Sequence, residues 1–242
     1  MVWWNTIRAE LYKMRKTNMW LLLFLSPVLS GLLASATLSR FPDIKGWLGI
    51  YAFMTPIHAM LLLPLLTGVL TALVCRYEHL NGGWKQLLVQ PLQRHQLYIV
   101  KFLLVILCIA IMQVLFTIAL FIIGSVRGVT EPFPVKILLQ HLIGGWIATF
   151  PLVALQLWVS TIWSSFAAPM ALNVIFTLPC ILISQSATYG PWYPWSQPLL
   201  AMLLQENMNI PSFTIKSLMI VVIGSFVIFL MGGLTTFKRK MY

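Results

Sequence analysis

The sequence predicts an all-α polytopic membrane protein: six transmembrane helices with both termini on the cytoplasmic side. Three observations carry that expectation. Of 242 residues, 60% are hydrophobic and 9% charged, and mean hydropathy is +0.88, which no soluble domain matches. Six apolar runs, at about 19–38, 51–74, 102–125, 138–162, 166–184 and 215–237, each approach the ~20 helical residues that cross a ~30 Å hydrocarbon core. Lys and Arg are unevenly divided between the flanks of those runs. With both ends inside, Arg8, Lys13, Arg15, Lys16, Arg76, Lys85, Arg94, Lys101, Lys238, Arg239 and Lys240 face the cytoplasm, against Arg40, Lys45, Arg127, Lys136 and Lys216 outside. The net charge of +11 therefore marks an inner face and not a nucleic-acid site.

Residues 1–18 form the first unit, an amphipathic interfacial helix, and 19–242 the transmembrane domain. Trp3, Trp4, Ile7, Leu11 and Met14 fall on one side of that helix, Lys13 and Lys16 point away, and Arg8 and Arg15 border the stripe. A Trp-rich apolar face with basic flanks lies in the plane of an anionic leaflet, as a plain anchor or as a partner contact. The run from Met19 to Leu38 is of span length and no small-residue cleavage pattern follows it, so it stays as the first span. Pro42, Asp43 and Gly46 mark a short external turn. The second span contains Pro56, His58 and Pro64. Prolines there free backbone carbonyls for other contacts, and a hydrogen bond to a neighbouring helix outweighs a conduit role for His58.

Between the second and third runs lies the most informative stretch, residues 76–101, RYEHLNGGWKQLLVQPLQRHQLYIVK. It is too polar to cross a bilayer. Gly82 and Gly83 permit a sharp turn, Trp84, Leu87 and Leu88 recur at i, i+3 and i+4, and Pro91 ends the short amphipathic helix they define. Composition alone gives such an apolar ridge two equal uses, docking onto a protein or lying on lipid. The order Glu78, Gly82, Gly83, Trp84-Lys85-Gln86-Leu87-Leu88, Pro91, Arg94, Lys101 resembles the cytoplasmic segment of ABC-2 type transporter permeases. In that family the segment is the coupling helix, seated in a cleft of the ATP-binding subunit, and an N-terminal interfacial helix borders the same subunit. Gly83-Trp84 stands where many members have Gly-Thr, and the Trp-Lys form is more similar to the bacteriocin-immunity and bacitracin-export branch.

The third span has Gln113 as its main polar side chain, and Gly128, Pro132 and Pro134 form the next external turn. The fourth span holds His141, Gly144, Gly145, Pro151 and Gln156, its glycines allowing close approach of a neighbour. An uncharged inner hairpin, Trp163 to Phe166, leads into the fifth span, where Pro169 and Pro179 weaken the helix and Asn173 bonds across the bundle. The external segment Gln185 to Thr214 gathers Tyr189, Trp192, Tyr193 and Trp195 among Pro191, Pro194 and Pro198. Aromatics of this kind settle at headgroup level, and the apolar run Leu199 to Leu204 is far too short to span. It reads as a short re-entrant or interfacial helix before the last span, with Pro198 near its start. Pro194-Trp195-Ser196-Gln197-Pro198 resembles the P-W-S-x-P pattern of bacteriocin-immunity permeases, whose fold has short external helices dipping in at this place.

The chemistry-bearing residues exclude several engines. Glu10, Asp43, Glu78, Glu131 and Glu206 all fall outside the six runs, whereas ion-coupled carriers place ionisable groups at mid-membrane. His58 and His141 are too few ligands for a metal site, Cys75, Cys108 and Cys180 have no paired spacing, and G-x-x-x-x-G-K-[ST] is absent. The chain is therefore expected to be no enzyme and to bind no cofactor. The resemblance implies a permease subunit in the bacterial plasma membrane. ATP and Mg would sit in two ATP-binding cassette subunits, alongside a second permease, the same chain or a sister. The cargo it implies is a lantibiotic-type amphipathic peptide expelled for self-protection, with another hydrophobic drug, antibiotic or lipid as the alternative. A membrane scaffold or sensor, in which the 76–101 segment recruits a regulatory protein, is the reading from a different class.

Overall fold

Uninterrupted apolar runs become helices because a backbone in hydrocarbon must satisfy its own donors and acceptors. A computed structural model describes residues 2–44, 46–80, 83–84, 93–203 and 215–239, and these hold helices and turns without a strand. The first two helices are α1 (Val2–Lys16) and α2 (Met19–Leu38). Asn18 takes the left-handed conformation at φ 51° between them, which a short polar side chain tolerates. Helix α3 (Trp47–His79) contains a π-helical segment, Pro56–Leu62, bracketed by the two prolines that cannot donate to the preceding turn. Helix α4 is Arg94–Val126 and α5 is Val135–Ile162, with a jog at Thr149 where Pro151 interrupts the ladder. Helix α6 (Ala167–Ile183) breaks at Pro179. Two 3₁₀ turns, Gly190–Trp192 and Pro194–Ser196, lead into the short α7 (Gln197–Met202), and α8 is Ile215–Arg239.

Five stretches are long and apolar enough to cross a membrane: α2, α3, α4, α5 and Leu218–Arg239 of α8. The fifth expected run, 166–184, yields the shorter α6 instead, because Pro179 ends its first segment at Thr177. The stretch 76–101 is also less of a loop than its polarity suggests. Helix α3 carries on to His79 and α4 begins at Arg94, so polar side chains at both margins sit on helix ends.

Two apolar clusters stack along the bundle. One joins α1, α3, α4, α5 and α8 through Met14, Leu70, Val105, Leu157 and Phe237. The other, towards the opposite end, gathers Leu38, Tyr51, Phe116, Leu138 and Met202. Helix α7 packs into this second cluster, against Gly144 and Gly145 of α5, with Leu199, Leu200 and Met202 buried. The three cysteines are buried and free.

Candidate functional site

Four charged side chains from three helices close into a ring at the end of the bundle that carries α1. Glu10 and Lys13 stand one turn apart on α1, Glu78 lies in the last turn of α3, and Lys101 lies two turns into α4. Lys101 Nζ is 2.7 Å from Glu10 Oε2 and 2.9 Å from Glu78 Oε1. Lys13 Nζ closes the ring at 2.6 Å from Glu10 Oε1 and 2.7 Å from Glu78 Oε1. The Glu10, Glu78 and Lys101 side chains are 3%, 1% and 1% exposed, while Lys13 keeps 30% and forms the open edge.

Taking charges out of water is expensive unless they are paired and fully hydrogen-bonded. Lys101 meets that condition, because its third donor goes to the Val74 carbonyl at 3.0 Å. Burial pushes the Glu10 carboxyl up, but Lys101 and then Lys13 pull it down by more, so it rests below the usual carboxylate range. Glu78 Oε2 has no partner among the described residues. Two carboxylates and two ammonium groups leave the ring neutral, which makes it a lock between helices rather than an attractor of ions.

The turn beside the ring is anchored from within. Trp84 is 3% exposed, packed edge-on to His79 and Phe237 at centroid distances of 5.6 and 5.2 Å, with Lys101 Nζ 5.8 Å from its ring. Its Nε1–H donates to His79 Nδ1 at 3.2 Å, and His79 Nε2–H donates to the Ser160 carbonyl of α5 at 2.7 Å, which fixes the imidazole tautomer. A Cβ on Gly83 would lie 2.9 Å from the Tyr77 carbonyl, so the backbone runs close against the last turn of α3. Arg94 Nη1 donates to the Lys238 carbonyl at 3.0 Å, tying the start of α4 to the end of α8.

These positions correct two expectations. Trp84, expected on an outward ridge with Leu87 and Leu88, is turned into this chain's own core; indole offers the largest apolar surface at the turn and finds an acceptor inside. Lys13, expected to point away from the apolar stripe of α1, turns inward to two carboxylates. The buried face of α1 is Thr6, Glu10 and Met14; Ile7 and Leu11 flank it half-buried, and Trp3 and Trp4 are 42% and 69% exposed. Gly82, Leu87, Leu88 and Pro91 lie outside the described residues. Sequence reasoning missed Glu10, Lys13 and Lys101 as site residues. The available signal was the Glu10–Lys13 spacing together with a further acid and lysine, Glu78 and Lys101, flanking neighbouring runs.

Away from this junction the buried polar groups are neutral. His58 sits in the π-helical segment with Nδ1 2.7 Å from Ser26 Oγ and Nε2 3.2 Å from Gln113 Oε1, bridging α2 and α4. Asn173 of α6 donates to the Pro64 and Leu65 carbonyls and accepts from Trp195 Nε1. Trp195 stacks on Phe176, Ser196 Oγ donates to the Gly190 and Tyr193 carbonyls, and Pro194 and Pro198 start the 3₁₀ turn and α7. At the end of α7, the Met202 carbonyl accepts from Tyr51 and the Ala201 carbonyl from His141. Among the described residues no three His, Cys, Asp or Glu side chains gather into a metal site.

A family model described as ABC-2 family transporter protein matches residues 6–180. The chain belongs to the ABC-2 transporter family. Curated protein sequences give no match. Membrane chains of the ABC-2 family are transport components, not themselves catalytic, and work with ATP-binding partner subunits. In this ABC-2 chain the matched region contains the whole charge ring and Trp84, and stops before the Pro194–Pro198 segment and α8.

Proposed function

We propose that this chain is the permease subunit of an ATP-driven exporter, multi-pass in the bacterial plasma membrane with both termini cytoplasmic. In this reading α6 is the sixth crossing. The segment 76–101 is where an ATP-binding subunit delivers movement, with Leu87 and Leu88 towards that subunit and Trp84 holding the segment to α3, α5 and α8.

One observation carries the reading: the ring of Glu10, Lys13, Glu78 and Lys101 fastens α1 and both helices flanking the segment to one another. A push on that segment is then not absorbed by a loose loop. Paired and buried charges have few alternative arrangements, so displacement of one helix is transmitted to the others. The partner set is two ATP-binding subunits and a second permease. The cargo is an amphipathic peptide of the lantibiotic type, supported by the resemblance of the Trp84-Lys85 and Pro194–Pro198 segments to peptide-immunity permeases.

Affinity purification of the tagged full chain from its own membranes tests the reading. An ATP-binding chain is expected to co-purify, and to be lost on Leu87→Ala with Leu88→Ala. Lys101→Met is expected to keep that chain bound while abolishing peptide export by intact cells. Recovery of the permease with a regulatory protein and no ATP-binding chain would favour the scaffold reading instead.

A further inference from the structure

A second cluster of polar groups lies beside the junction, on the far side of α3 from the charge ring. A crevice of about 20 Å³ opens between the last turns of α3, the end of α5 and the hairpin that precedes α6; Arg76, His79, Ser160, Ser164 and Ser165 are among its lining residues. Arg76 is exposed and makes no ion pair among the described residues; its guanidinium rests 5.8 Å over the Phe166 ring. The first turn of α6 carries no acid, the Ala167 N–H donates to Ser165 Oγ at 3.3 Å and Pro169 has no N–H, so the helix start offers the Ala168 amide and the positive end of its dipole.

A helix start and one arginine are common at a membrane rim. What singles this place out is Ser160. It is 2% exposed, lines the crevice, and its Oγ has no hydrogen-bond partner among the described residues, although its own carbonyl is engaged by His79. A buried hydroxyl without a partner is destabilising unless something that enters the crevice completes it.

We infer that the crevice binds the phosphate of an anionic glycerophospholipid. Arg76 supplies a forked, permanently charged donor, which suits phosphate oxygens better than an ammonium group does. Ser164, Ser165 and the start of α6 supply neutral donors. A volume of about 20 Å³ admits one water and no phosphate. The phosphate therefore sits at the mouth, and Ser160 Oγ, closed off beneath it, is completed by a water only when binding opens the mouth to admit one. The rim decides for lipid over a free anion: Ile162, Trp163 and Phe166 are 36%, 41% and 39% exposed and continue into the apolar outer surfaces of α5 and α6. Such a rim suits a headgroup whose acyl chains run down those helices, and a soluble anion has no use for it. The inference rests on the membrane character of the chain and is independent of its cargo.

The test takes the full chain, with whatever subunits it carries, in nanodiscs of equal phosphatidylglycerol and phosphatidylcholine with identical acyl chains. Native mass spectrometry after detergent release reads the ratio of retained lipids. The wild type is expected to retain phosphatidylglycerol, and Arg76→Gln to lower that preference about tenfold, the loss of one charge-assisted contact. Arg76→Lys is expected to fall between the two, and Arg40→Gln, the same change of charge near the opposite end of the bundle, to leave the ratio unchanged. If Arg76→Gln does not assemble, Ser164→Ala with Ser165→Ala, both exposed positions, is expected to lower the ratio as well. An equal ratio in wild type and in these variants overturns the inference. Displacement of phosphatidylglycerol by millimolar inorganic phosphate overturns it too, because the site would then take a soluble anion.

Discussion

Two buried polar regions hold this bundle together, and they do so in opposite ways. At the junction beside α1, two carboxylates and two ammonium groups meet at 2.6–2.9 Å. Further along, His58, Ser26, Gln113 and Asn173 make only neutral hydrogen bonds between helices. Neutral partners within a membrane bundle are individually weak, and the competing state also finds partners for them. A charged group has no such alternative: unpaired in the interior, it is expensive. The neutral groups therefore act as adjustable glue, and the ring as a lock whose members stand or fall together. That division suits a molecule in which one end takes up movement and the rest accommodates it.

The largest expected effect comes from removing one charge of the lock. Lys101→Met leaves Glu10 and Glu78 buried with only the half-open Lys13 to serve both, and is expected to destabilise the detergent-solubilised protein by about 3–5 kcal/mol. Combining Lys101→Met with Glu78→Gln takes away one charge of each sign and leaves Glu10 paired to Lys13. Part of the lost stability should return, read as a melting temperature between those of wild type and the single variant. A double variant no better than the single one would mean that packing around the Lys101 stem, and not charge, holds the junction.

Much of the fold was legible in the sequence, and the lock was not, for a physical reason. Runs of apolar residues long enough to span report their own conformation, so α2, α3, α4, α5 and α8 were visible from composition and length. The cross-bundle bonds of His58 and Asn173 were legible too, because a polar group inside such a run has to find a partner there. Charge patterning, by contrast, reads only along the chain. Glu10 lies 91 positions from Lys101, and nothing local announces their contact. Amphipathicity also misled at α1, where the stripe drawn through Trp3, Trp4, Ile7, Leu11 and Met14 left Lys13 outside, although the helix turns Thr6 and Glu10 inward beside Met14 and leaves Trp3 and Trp4 exposed. Hydrophobicity ranks the faces of a helix correctly only when no charged partner waits on the other side.

The neutral region should give way less. A Cβ at Gly68 would lie 2.1 Å from Asn173 Nδ2, and that amide is held by the Pro64 and Leu65 carbonyls. Gly68→Ala is thus an overpacking change and is expected to destabilise by about 1–3 kcal/mol. Adding Asn173→Ala makes room for the methyl group and should recover part of it. His58→Leu removes hydrogen bonds to Ser26 and Gln113 and is expected to lower stability by about 1–2 kcal/mol, two interhelical hydrogen bonds averaging about 0.6 kcal/mol each in membranes. A loss at His58 as large as that at Lys101 would erase the distinction between lock and glue.

The smallest effect is also the most specific to the ring. The folded state holds the Glu10 carboxyl below its ordinary value of 4.5, so below that pH the unfolded chain takes up a proton that the folded one resists. Stability from Glu10 is therefore fully present above pH 4.5 and is lost as pH falls through the folded value. Its slope there cannot exceed about 1.4 kcal/mol per pH unit for a single group. Melting curves of wild type and Glu10→Gln should differ by a constant gap from pH 7 down to about 5, narrowing only on further acidification. Histidines elsewhere shift both curves alike and leave the gap untouched. A gap that closes between pH 7 and 6 instead would mean that Glu10 is not held below its ordinary range, and would remove charge pairing as what holds the lock.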